Sequence, residues 1–308
     1  MNPLTNGRLV KIDCPISEYI QSRGDDKAPI LSRSDLAAIA SNPRKWKDGP
    51  RQDDRRTWQT DFGSLFDCFL TQQERFTEYY KVAPKLYDNS KKQTVPWTWK
   101  SSTCRDWREE QEQAGFQVCT EEDIDTAKKA VTRLFEEDKE QMQRLFSTSK
   151  FQVFCMADYH DEDTGIDVTV KTMTDIVPAL DNSDFPGCLV DIKTARSAAP
   201  RVWRWQVFEC GYHIQAAMNL DVFTAATKEE RNEFRHVIVE NEPPFECARR
   251  FVTEEFLNLG RETYLLGLKR YCQCVKTGEW PGYVTPFAMV RNGFEECDVE
   301  AKMIGREL

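Results

Sequence analysis

The sequence contains no CxxC pair, no apolar run long enough to cross a bilayer and no excess of basic charge. Each absence removes a class of protein. Eleven cysteines are present, but they are scattered over positions 14, 68, 104, 119, 155, 188, 210, 247, 272, 274 and 297. Without paired spacing, a cysteine metal site or disulfide framework has little support. Thiols such as Cys155 in FQVFCMA read as reduced, small buried hydrophobes. The opening stretch MNPLTNGRLVKIDCPISEY lacks the apolar centre of a signal peptide, and no segment approaches the roughly 20 apolar residues of a membrane helix. A cytoplasmic protein with no membrane association is the expectation. A net charge of -9 over 308 residues argues against a protein that sheathes nucleic acid along a basic surface.

What is present is an ordinary globular composition, 40% hydrophobic and 30% charged, sufficient to bury a core. Residues 1-30 show little periodicity and read as an N-terminal loop segment. Ser32 or Ser34 can cap a helix that stops at Asn42-Pro43. The charged stretch 48-57 reads as mobile. Residues 60-71, TDFGSLFDCFLT, form an apolar helix in which Asp67 is a buried charge in need of a partner. A long amphipathic helix is expected over 120-147, capped by Thr120, with acidic residues at its positive end. Residues 151-159 alternate as a strand, and 236-253 read as two short strands around Pro243-Pro244. A helix over 254-277 then ends at Gly278.

The chemistry concentrates in 170-220. Val168 to Ile176 and Cys188 to Thr194 read as strands joined by a turn rich in Asp, Asn, Ser, Pro and Gly. Such a hairpin brings Asp175 beside Asp191 and Lys193. The last two, being two apart, leave the same face of the strand, while Ile192 points into the core. Two carboxylates and a lysine on one face are costly to bury unless paired or bound to metal. They suit Mg2+, which takes one or two carboxylates, a carbonyl and waters while leaving positions for phosphate. An Asp-x-Lys triplet alone also arises by chance on an exposed strand. Beyond it, Tyr212, Gln215 and Asn219 share one helical face. Segment 191-205 carries Lys193, Arg196, Arg201 and Arg204 interleaved with Trp203 and Trp205. This pattern suits a phosphate backbone or stacked base, and equally a solvated helix start over core tryptophans.

Asp175, Asp191-Ile192-Lys193-Thr194 and Tyr212-His213-Ile214-Gln215-Ala216-Ala217 together resemble the RecE-like, lambda-exonuclease-like branch of the PD-(D/E)xK nucleases. The Ser-rich helix before Asn42-Pro43, the Val-Glu-x-x-Pro-Pro strand and the Thr-Gly-x-Trp-Pro-Gly segment extend the resemblance over about 31-285, leaving 286-308 as a tail or edge strand. It implies an α/β fold with a central mixed sheet flanked by helices. It also implies a Mg2+-dependent exodeoxyribonuclease, with Mn2+ as an alternative, acting from 5' to 3' on double-stranded DNA ends. Asp175, Asp191, the Ile192 carbonyl and Asp67 would hold metal. Lys193 would orient or deprotonate the attacking water, Gln215 would orient the site, and Arg196, Arg201, Arg204 and Tyr212 would contact DNA. The partners implied are a RecT-like single-strand annealing protein and a homo-oligomeric ring. Two positions depart from the family pattern. Asp67 stands where a Gly-x-x-x-His helix has histidine, and Gln152 where relatives carry glutamate; these departures keep open an inactive DNA-end-binding or assembly protein. Cys247, Cys272, Cys274 and Cys297 lack the spacing of the iron-sulfur cluster some relatives hold, and no cluster is expected.

Overall fold

The structure, a computed structural model, describes residues 2-25, 27-49, 58-283, 290-291 and 294-295. In chain order the N-terminal part comprises β1 (Leu4–Lys11), α1 (Ile16–Gln21), β2 (Ile30–Leu31), α2 (Arg33–Ser41), α3 (Pro43–Asp48), α4 (Trp58–Thr71) and α5 (Phe76–Tyr79). The short strands β3 (Tyr80–Val82), β4 (Leu86–Asp88) and β5 (Thr94–Pro96) lead to α6 (Ser102–Gln113), β6 (Gln117–Cys119), α7 (Glu121–Glu137) and α8 (Lys139–Thr148). The second half holds β7 (Lys150–Asp161), β8 (Ile166–Val177), β9 (Cys188–Ala195), α9 (Pro200–Glu209), α10 (Tyr212–Thr227), β10 (Glu233–Glu240), β11 (Cys247–Phe251) and α11 (Glu254–Thr277). The tail contributes β12 (Val290–Arg291) and β13 (Phe294–Glu295). Most of the charged stretch 48-57 and of the segment 286-308 lies outside the described residues.

One seven-stranded sheet organises these elements, in the order β1-β7-β8-β9-β10-β11 with β2 paired to β8. All its pairs are antiparallel except β9 with β10 and β2 with β8. The parallel pair requires a crossover, which α9 and α10 supply. Each face of the sheet is covered. Leu189, Val170 and Val168 pack with α2, α10 and α11 on one side, and Val190, Ile192 and Ile176 pack with α4, α7 and α8 on the other. The expected α/β architecture is therefore present, with a mostly antiparallel sheet.

Two local expectations need correction. Residues 1-30 are not simply loop: β1 pairs with β7 along the sheet edge, with two register shifts. Its residues are mostly exposed after Leu4, so no hydrophobic alternation marks the strand in the sequence. The helix expected over 120-147 is two. Asp138, at φ -158° and ψ 78°, leaves the helical region, and its side chain caps α8 by accepting from Gln141 N. Thr120 does cap α7, through a capping box with Asp123.

Helix α11 packs backbone to backbone on its neighbours. A Cβ at Gly260 would lie 2.2 Å from the His213 carbonyl oxygen of α10, and one at Gly267 would lie 2.5 Å from the Leu36 carbonyl oxygen of α2. Alanine ordinarily gains about 1 kcal/mol over glycine inside a helix, but here it must push two backbones apart. Gly260→Ala is expected to lose about 1-3 kcal/mol, seen as a lower urea midpoint at unchanged slope; a higher midpoint would contradict the close approach.

Candidate active site

Asp175 lies near the end of β8, and Asp191 and Lys193 lie on the adjacent β9. The connecting turn is held by Asn182, which is buried; its Oδ1 accepts from Asp184 N at 3.0 Å and Phe185 N at 3.1 Å. Alternation on β9 sends Val190 and Ile192 into the apolar layer beneath α4, so Asp191 and Lys193 take the opposite face. Between β8 and β9 a side chain intervenes in the pairing: Asp175 Oδ2 accepts from the Ile192 amide at 3.0 Å.

Asp191 has no exposed surface, whereas 19% of the Lys193 side chain is exposed. Within this pair only the lysine reaches solvent. The Lys193 ammonium sits 2.8 Å from both Asp191 oxygens, hydrogen-bonding to Oδ1. Gln215 Nε2 donates to the same Oδ1 at 2.7 Å. Gln215 is carried by α10, which is strapped to β8 where Asn219 Nδ2 donates to the Met173 carbonyl at 3.3 Å. Tyr212, one turn before Gln215, places its ring 5.1 Å from the Lys193 ammonium. Thus Tyr212, Gln215 and Asn219 do share a face, and that face meets β8 and β9.

Asp67 completes the constellation from α4. Gly63 lets this helix approach β9, since a Cβ there would lie 3.2 Å from Thr194 Oγ1. Burial pushes the Asp67 carboxyl up to about 7, with Lys193 opposing the shift and Asp191 adding to it. Asp175 is likewise raised well above the usual carboxylate range by burial and by Asp191. Burial alone would lower the Lys193 pKa, but Asp191 and Asp175 outweigh it and hold the ammonium above its ordinary value. As placed, Lys193 is a cation rather than a base. The three carboxylates coupled to this ammonium are oxygen donors of the kind a hard divalent cation takes. Among the described residues no three acidic, histidine or cysteine side chains are already gathered as a ligand set. Asp191 is instead engaged by Lys193 and Gln215, and Asp175 by the Ile192 amide.

The remaining sequence candidates divide. Arg196, Arg201 and Arg204 are all exposed, the last two on α9. Trp203 is buried while Trp205 is 37% exposed, so only one of the interleaved tryptophans is core. His213 is a packing residue, stacked on Phe208 with Nδ1 at 3.2 Å from the Val207 carbonyl. Gln152 occupies the register position opposite Asp175, between the pairs Phe151–Ile176 and Val153–Thr174, at φ 44°. One neighbour of the site carries no motif in the sequence. His236 on β10 is paired in parallel register with Asp191, and its Nε2 lies 3.8 Å from Asp191 Oδ2. Burial holds its pKa down at about 4, against the pull of Asp191.

A cleft of about 680 Å3 reaches one edge of this constellation: Asp175 and Gln215 line it together with Asn219, Lys171 and Arg33, while Asp67, Asp191 and Lys193 lie behind that lining. A larger hollow, about 890 Å3, is lined by Arg231, Arg235, Arg249 and Arg261 but by none of the carboxylates of the constellation. Those arginines are already paired, with Glu229, Glu233, Asp138 and Asp221 respectively. The smaller cleft is therefore the candidate site.

Residues 30-292 match the profile of the PDDEXK-like domain of unknown function (DUF3799). The chain belongs to this PDDEXK-like family. Among solved structures it resembles one described as a "Putative exonuclease" from Eubacterium rectale, with a TM-score of 0.54 at 15% identity over 97% of this chain and 100% of that one. At that identity the likeness establishes a shared fold. No curated protein matches the chain. Membership places Asp175, Asp191 and Lys193 within a PD-(D/E)xK superfamily domain, and no described helix is long and apolar enough to cross a membrane.

The raised Asp67 carboxyl has a consequence for metal-free protein. A folded pKa above the unfolded value costs nothing below about pH 4, where both states are protonated, and the cost grows as pH rises to about 7. Asp67→Asn should raise the denaturation midpoint of chelator-treated protein near pH 7.5, with the gain shrinking towards pH 4.5. An equal effect at both pH values would show that Asp67 is not held protonated.

Proposed function

We propose that the protein is a divalent-metal-dependent deoxyribonuclease, acting as a RecE-like, lambda-exonuclease-like 5'-to-3' exonuclease on linear double-stranded DNA ends. The observation that carries this reading is the meeting of Asp67, Asp175, Asp191, Lys193 and Gln215, from α4, β8, β9 and α10, around desolvated charge. A purely structural cluster would gain nothing from three mutually repelling carboxylates. The digestion polarity, a RecT-like annealing partner and a ring-shaped homo-oligomer belong to the proposal through family resemblance alone.

In this reading Asp175 and Asp191 hold the metal, with the Ile192 carbonyl and Asp67 completing the set. Mg2+, or Mn2+ in its place, would polarise the phosphate and acidify an attacking water. Gln215, donating to Asp191 Oδ1, keeps that carboxylate from turning. Lys193, held charged, offsets negative charge developing on the phosphate and orients the water through its N–H groups. Tyr212 limits the lysine's reach by covering it with a ring face. Exposed Arg196, Arg201 and Arg204 grip the backbone.

One observation favours a second reading, a DNA-end-binding protein that does not cut. Gln152, opposite Asp175, supplies an amide where a carboxylate would be the stronger cation ligand.

Digestion of linear 5'-phosphorylated duplex DNA with Mg2+ separates the two readings. Loss of linear DNA, survival of a closed circle, and a fall of about 100-fold or more for both Asp191→Ala and Lys193→Ala are expected. Intact substrate with Mg2+ and with Mn2+, alongside tight end binding, would leave only the second reading. Replacing Arg201 and Arg204 together by alanine should lower the slope of log affinity against log salt by about 2, close to 0.9 per lost phosphate contact. An unchanged slope would remove α9 from the DNA path.

A further inference from the structure

His236 is buried to 1% exposure, and neither ring nitrogen has a hydrogen-bond partner. Such a residue is expensive to keep: a buried polar atom left unpaired costs stability that an apolar ring of the same shape would not. Its surroundings would accept such a ring. Trp203 and Phe234 lie edge-on at 5.4 Å each, and Tyr212 lies tilted at 5.9 Å, so the imidazole is fixed in an aromatic cage. The cage aims it at one polar atom. Parallel register sets His236 beside Asp191, and Nε2 lies 3.8 Å from Oδ2, itself without a well-directed hydrogen bond although the Lys193 ammonium is near.

The two oxygens of Asp191 are thus treated differently. Oδ1 accepts from both Lys193 and Gln215, while Oδ2 faces, just beyond hydrogen-bond range, an imidazole without a hydrogen-bond partner. We propose that His236 is a positioning residue for Asp191, its Nε2–H supporting Oδ2 once Lys193 turns from the carboxylate towards substrate phosphate. Gln215 then steadies one oxygen and His236 the other, so the carboxylate keeps its aim when its counter-ion leaves. An imidazole suits this task because it donates from a rigid ring that the cage cannot rotate away, and residues behind a metal ligand typically tune its affinity. This inference rests on the metal-nuclease reading above, since it gives Asp191 a cation to hold.

The test is Mn2+ binding by calorimetry to chelator-treated protein, comparing wild type with His236→Phe and His236→Gln, together with thermal melts. Phenylalanine keeps ring volume and removes both orphaned nitrogens, so His236→Phe should melt at or above the wild-type temperature while binding Mn2+ about 10- to 100-fold more weakly. Glutamine restores an N–H donor and should recover most of that affinity. A merely structural histidine predicts a different result, with melting temperature moving and affinity constant. Wild-type affinity in His236→Phe overturns the positioning role, and with DNA digestion intact it does so without touching the nuclease reading. If wild type neither binds Mn2+ nor digests DNA, both fall together.

Discussion

The structure depends on the burial of the Asp191 carboxylate. It has no contact with water, so its charge must be met inside the protein, and each neighbour answers a part of that demand. Lys193 supplies the opposite charge from two residues along the same strand, and Gln215 supplies a neutral donor from the central helix α10. The fold around them is arranged so that these groups cannot drift. β9 is flanked by β8 and β10, α10 is buried nearly all round, and α11 presses on α10 through Gly260.

That burial also sets the electrostatics. Asp67 and Asp175 would be ordinary carboxylates in water, but desolvation and the proximity of Asp191 raise both. The same charges hold Lys193 protonated against desolvation. On the proposed nuclease reading a divalent cation would relieve this repulsion, which would link the stability of the metal-free protein to the chemistry of the loaded one. On the same reading Lys193, paired with Asp191, would turn to phosphate only once a cation satisfies the carboxylate.

The surface divides between two hollows for a related reason. Arg231, Arg235, Arg249 and Arg261 around the larger one are paired with neighbouring acids, whereas Arg196, Arg201 and Arg204 beyond β9 remain exposed in a chain whose net charge is negative. An acidic protein can present a local basic approach because fields at a few ångströms are set by neighbours rather than by the sum over the chain.

Much of the geometry of the candidate site was legible in the residues themselves. Strand alternation decided that Asp191 and Lys193 share a face, helical spacing decided that Tyr212, Gln215 and Asn219 do, and the turn cluster 181-187 decided that Asp175 lies alongside. These are local periodicities, and a sequence carries them whole. The edge strand β1 escaped because its residues are largely exposed, leaving no alternation to read, and the break at Asp138 escaped because one residue's dihedral angles interrupt an amphipathic stripe that continues on both sides. Tertiary structure alone decided which of Trp203 and Trp205 faces inward and that His236 stands behind Asp191, while the approach of Asp67 to β9 from α4 was implied by family resemblance and by no periodicity. Those relations run between residues tens to more than a hundred positions apart, through a parallel register and a helix contact at Gly63, and no local pattern encodes how distant segments are brought together.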